Sequence, residues 1–177
     1  FTVQDMLDMK LFQKANLLWG EKGLGQEIRG VTIIESPDIV RFISGGEVLL
    51  TGLNAFQNCS PDEFRNYIEE LAKKKVSALV IKRGRTVDFM QEKMVIIREY
   101  SNNTETPVIE IPFEMPFRDI LNTIMEHLFN EEVIRLKYFK TTHDNFTALS
   151  LSFHSMENGV QRIVDILSKL IGNPIAL

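Results

Sequence analysis

The stretch that decides the fold is Ser60-Pro61-Asp62-Glu63-Phe64-Arg65-Asn66-Tyr67-Ile68-Glu69-Glu70-Leu71-Ala72-Lys73-Lys74-Lys75-Val76-Ser77-Ala78-Leu79-Val80-Ile81. It opens with a serine cap, a proline at the first helical position and a glutamate at the third, a strong helix start. Phe64, Ile68, Leu71 and Ala72 then fall on one helical face. Lys73-Lys74-Lys75 closes the helix, where cations complement the macrodipole; an anion-binding patch is the alternative reading of the same run. Val76–Ile81 is a continuous apolar run, as a strand buried on both faces requires.

On either side the same rhythm continues. Upstream, Ser44-Gly45-Gly46 breaks the chain before a strand Glu47–Thr51. Downstream, the loop Lys82-Arg83-Gly84-Arg85 leads to a helix from about Asp88 to Tyr100, and Thr106-Pro107 introduces a strand Val108–Ile111. The order β-α-β-α-β with short loops implies a parallel sheet with right-handed crossovers, hence an α/β fold with helices flanking a mainly parallel sheet. Further out, Thr2 and Asp5 cap a short helix, Ala15–Trp19 and Glu27–Ile34 read as strands, and Ser36-Pro37-Asp38 starts a helical turn.

Beyond Pro112 and Pro116 the pattern turns helical for a long stretch. From Met125 a stripe steps by four and three through Phe129, Glu132, Leu136, Phe139, His143, Phe146, Ser150 and Phe153, a heptad seam with polar interruptions. Phe129, Leu136, Phe139 and Phe146 are the candidate dimerisation residues, with packing against the chain's own domain as the alternative. Gly159 precedes a last helical pattern that Gly172 stops, and Ile175-Ala176-Leu177 begins a strand. The expected organisation is an α/β domain over 1–116, a helical connector over 117–158, and the truncated start of a further domain over 159–177.

The 177 residues are 44% hydrophobic and 25% charged, an ordinary globular composition. A net charge of −4 argues against a nucleic-acid footprint. A single cysteine, Cys59, fits a reducing cytosol, and no apolar run approaches a membrane span, so a cytoplasmic protein is expected. Phosphate-loop, dinucleotide and nucleophile-elbow motifs are absent, and His127, His143 and His154 lie far apart. Neither a catalytic residue, a metal nor a cofactor is expected. Ligands of parallel sheets bind beyond the carboxyl ends of the strands. That rule nominates Glu47, Thr51, Asn54, Arg83 and Arg85 as candidate effector-binding residues, arginine suiting a carboxylate or phosphate. For Glu47 an alternative is that it satisfies backbone N–H groups in the Gly45-Gly46 turn.

The span from Thr2 to about Pro116 resembles the N-terminal domain of the purine-catabolism-regulator (PucR) family of bacterial transcription factors. The resemblance is carried by Thr2-Val3-Gln4-Asp5-Met6-Leu7, Gly23-Leu24-Gly25, Glu35-Ser36-Pro37-Asp38 and above all Ser44-Gly45-Gly46-Glu47-Val48-Leu49-Leu50-Thr51-Gly52-Leu53. The Val76–Val80 strand, Gly84-Arg85 and Pro107–Pro112 running into Pro116-Phe117 extend it. Lys82-Arg83 departs from the apolar or small residues usual there, which points to a changed ligand. The resemblance implies an effector-sensing role for a small metabolite of purine breakdown or similar. It also implies a helical connector, a middle domain and a helix-turn-helix beyond this chain, through which alone DNA would be bound; the homodimer is expected from the heptad stripe. A weaker likeness is to the regulatory N-terminal domains of HPr kinase and related nucleotide-sensing proteins.

Overall fold

The computed structural model describes residues 1–82, 90–152 and 168. Two compact units divide the chain, Phe1–Leu128 and Phe129–Leu177. Among its described residues the first has five strands: β1 (Asn16–Trp19), β2 (Gly30–Ile33), β3 (Glu47–Thr51), β4 (Ala78–Lys82) and β5 (Val108–Ile111). Its helices are α1 (Val3–Asp8), α2 (Pro61–Ala72), α3 (Met90–Thr104) and the start of α4 (Phe117–Ser152). The sheet order is β1-β5-β4-β3-β2, parallel from β2 to β5, with β1 antiparallel on β5. The α/β class and the parallel core expected from the sequence are what the structure has.

Both capping boxes form. Ser60 Oγ accepts the Glu63 N–H while the Glu63 carboxylate accepts the Ser60 N–H, and Thr2 and Asp5 do the same for α1. Each such cap contributes about 1 kcal/mol to holding its helix start. The strand expected over Glu27–Ile34 is shorter, because residues before Gly30 take other partners. Glu27 bridges to Thr2, the Ile28 N–H donates to Phe1 O, and the Arg29 N–H donates to Gly46 O.

Two apolar layers sandwich the sheet. Leu49, Leu79, Ile81 and Val108 pack with Phe64, Ile68 and Leu71 of α2 and Ile96, Ile97 and Tyr100 of α3. Val48, Leu50, Ala78, Val80, Ile109 and Ile111 pack with Val3 and Met6 of α1 and Ile120 and Ile124 of α4. Ile120 and Ile124 are fully buried, so the first turns of α4 belong to the α/β core and the compact unit runs past residue 116 to Leu128. In the second unit α4 continues to Ser152; the last helical pattern and the Ile175–Leu177 strand lie outside the described residues.

The antiparallel edge depends on Gly20. Its φ is +81°, and a Cβ there would stand 2.3 Å from Thr106 O, at the approach to β5. Gly20→Ala combines a left-handed backbone with a main-chain clash, so it should lower unfolding free energy by about 2 kcal/mol or more in urea titrations. An unchanged midpoint would mean that β1 is not anchored there.

Candidate functional site

Four strands run in one direction, so their carboxyl ends share a rim. Thr51, at the end of β3, is 1% exposed and its Oγ1 accepts the Leu53 N–H at 2.9 Å. That bond supports Leu53 in a left-handed conformation (φ 61°) and starts the turn Asn54–Phe56, with Asn54 exposed. The Thr51 hydroxyl therefore serves the loop, while Asn54 presents a side chain to solvent. At the end of β4, Lys82 Nζ stands 4.7 Å from the Phe117 ring centroid and 5.9 Å from that of Phe113, cation–π distances. Arg83 and Arg85 lie outside the described residues.

Glu47 is not at this rim. It is the first residue of β3, a strand length from Thr51 and thus roughly 13 Å away at ~3.3 Å per residue. Its carboxylate accepts the Ser44 N–H at 2.9 Å and the Thr32 hydroxyl at 2.6 Å. Strand direction corrects the grouping with Thr51 and Asn54 and favours the alternative reading: Glu47 accepts a backbone N–H and braces the Gly45-Gly46 turn at the amino end.

A cation that sequence reasoning missed lies beside the rim loop. Lys93 is 3% exposed, donates from Nζ to Phe56 O at 2.6 Å, and sits 5.7 Å from the Phe64 ring. Burial pulls its ammonium below the ordinary lysine range, with the nearby Cys59 and Glu92 opposing. The signal was present: Lys93 occupies the first place of the stripe Lys93, Ile96, Ile97, Tyr100, a charge at a core position of an amphipathic helix.

In the second unit the candidate dimerisation residues Phe129, Leu136, Phe139 and Phe146 are all exposed, by 70%, 58%, 70% and 48%. Ile134 and Tyr138, which the heptad reading omitted, are exposed as well. Among the described residues, no three His, Cys, Asp or Glu side chains are placed to hold a metal ion.

These features define a three-layer α/β domain continued by a long helix, with lysines at and beside its carboxyl rim. Residues 5–128 match the family model described as the purine catabolism regulatory protein-like family (PucR), and the chain belongs to that family. Over 165 residues it is 26% identical to the purine catabolism regulatory protein of Bacillus subtilis (strain 168), covering 93% of this chain and 30% of that protein's length. A solved structure of the CBS and DRTGG domains of the regulatory region of Clostridium perfringens pyrophosphatase, complexed with the activator diadenosine tetraphosphate, aligns with 68% of this chain and 45% of that one. The identity is 22% and the TM-score 0.38.

Lys93 makes stability depend on pH in a defined direction. Between its lowered value and the ordinary 10.5, the unfolded chain holds a proton that the folded chain has released, so stability rises with pH there. Tyr67 and Tyr100 act oppositely: burial raises both above the ordinary 10.0, and stability falls once the unfolded chain ionises. In urea unfolding from pH ~8 to ~10, the stability of the parent relative to Lys93→Met should therefore climb. A difference that stays flat with pH would mean that the buried ammonium is not perturbed.

Proposed function

We propose that this chain is the effector-sensing region of a bacterial transcription regulator, binding a small metabolite at the carboxyl rim of its parallel sheet. The observation that carries the reading is membership of the purine catabolism regulatory protein-like family across the whole α/β domain. The geometry supports it, because the rim holds Asn54 and Lys82, and Arg83 and Arg85 follow Lys82 within the next three residues of the chain. Cations of this kind suit an anionic or strongly polar ligand, arginine taking a carboxylate or phosphate through paired hydrogen bonds. The name of the Bacillus relative directs the search to purine-breakdown metabolites. The role is recognition rather than turnover, in the cytoplasm, and DNA is contacted by a helix-turn-helix outside these residues. No described helix is long and apolar enough to cross a membrane.

A thermal-shift screen with purines, ureides, nucleotides and small carboxylates identifies the ligand, and calorimetry on Arg85→Ala locates it. Losing a charge-assisted hydrogen bond weakens binding by roughly tenfold or more. Unchanged affinity would place the ligand elsewhere, and turnover of the hit would make the domain an enzyme.

The second part of the proposal is that α4 joins two copies. Fully burying each of Phe129, Leu136, Phe139 and Phe146 contributes roughly 1.5–3 kcal/mol. Two-fold pairing is the default symmetry for such a seam. Sedimentation should give a dimer for the parent and a folded monomer for Phe139→Glu. A monomeric parent would remove the idea, and a dimeric variant would move the interface.

A further inference from the structure

The opposite rim of the sheet is also built, and nothing so far uses it. There the amino ends of β2, β3 and β4 meet the end of α2 around an open groove of about 500 Å³, within the range of small-molecule sites. Its floor is main chain. Gly45, at φ +94°, leaves no room for a Cβ, which would stand 2.5 Å from Lys74 O. The Gly46 N–H donates to Lys75 O at 3.0 Å, and Gly46 O accepts the Arg29 N–H at 2.7 Å. Buried Ser77 ties the remaining segment in, its hydroxyl donating to Glu27 O at 2.6 Å.

The walls are cationic. Arg29, Lys73, Lys74 and Lys75 line the groove, against one lining carboxylate, Glu27. Glu27 is engaged by Arg29 at 3.0 Å, and the nearby Glu47 is committed to Ser44 and Thr32. No carboxylate lies within 4.0 Å of the three lysine ammoniums among the described residues. In a chain of net charge −4, three adjacent cations are concentrated on one groove.

The end of α2 does not account for all of them. The macrodipole acts within the last turn, which reaches Lys73, the C-cap. Lys75 lies past it, with φ +52°, a left-handed conformation that glycine adopts at helix ends without strain. Among the described residues, two other non-glycine residues share that conformation, and each has a visible use for its side chain. Leu53 fills the core at 2% exposure, and Glu105 pairs with Lys22 at 3.1 Å. Lys75 is exposed and among the residues that line the groove, so a use for its side chain is to be sought in what the groove holds.

We propose that this groove is a second effector site, distinct from the carboxyl rim, for a small molecule bearing a polyphosphate group. Three lysines supply rotatable donors that meet a chain of tetrahedral oxyanions from any direction. A planar carboxylate is served better by a guanidinium fork, and here Arg29 is already held by Glu27.

Lys75→Gly is the decisive variant, because strain and ligand binding predict opposite signs. Without ligand, its melting temperature should rise by ~2–4 °C as the left-handed strain is removed. Its affinity for sodium tripolyphosphate, by calorimetry on the 177-residue chain at ~0.15 M salt, should fall by about tenfold. Lys14→Ala, an exposed lysine away from the groove, should leave that affinity unchanged. Tripolyphosphate that fails to bind the parent at millimolar concentration overturns the proposal, as does undiminished affinity in Lys75→Gly. Equal loss in Lys14→Ala overturns it in favour of diffuse charge, and citrate binding as tightly overturns the phosphate class.

Discussion

Leu49 belongs to one apolar layer and its neighbours Val48 and Leu50 to the other, and all three are fully buried. The same strand is hydrogen-bonded on both edges, in register with β2 and β4. A strand enclosed in this way satisfies its backbone only through the two ladders, and its side chains only if both faces are covered. The crossovers α2 and α3 both pack in the layer of Leu49. The face of Val48 and Leu50 has to be covered by segments outside the β-α-β-α-β core, namely α1 and the first turns of α4. Hence the helix that leaves the domain is also part of its core.

This arrangement explains which parts were readable beforehand. β3 and β4 are buried on both faces and carry apolar runs, β5 is apolar apart from the half-buried Glu110, and α2 carries a serine cap, a proline and a lysine end; each signal is local. The antiparallel placement of β1 on β5 was not readable, because Asn16-Leu17-Leu18-Trp19 has the same composition whichever way it pairs. Glu47 was misplaced for a related reason. Strand direction distinguishes the two rims, and a glutamate adjoining a Gly-Gly turn looks functional at either. Its carboxylate turned out to close that turn and to bond Thr32 on the neighbouring strand.

Lys93 shows the opposite failure, a residue whose periodicity marked it as core while its charge argued against burial. The structure resolves the conflict through Phe56 O, which accepts from the ammonium and so joins α3 to the turn after β3. Burying a charge without hydrogen-bond partners costs several kcal/mol, and the Phe56 carbonyl that this turn holds in place is one such partner. Thr51 helps to hold the turn, through the bond to the Leu53 N–H. Two polar contacts, one from the sheet and one from a helix, therefore hold the same loop.

The rim is tied to α4 by a further contact. Lys82 ends β4, and its ammonium lies over the ring of Phe117, the first residue of α4. Ile111 ends β5 and leads through Pro112 and Pro116 into the same helix start. Three turns on, Phe129 opens the second unit with an exposed apolar side chain. Ile120 and Ile124 hold the intervening turns on the sheet, so α4 cannot shift at its start without disturbing a fully buried layer. A ligand that merely occupied the rim would leave the helix where it is. One that competed for the Lys82 ammonium would remove a cation–π contact from the first residue of α4, and the differential binding energy needed to bias a switch would then be paired with a defined structural change.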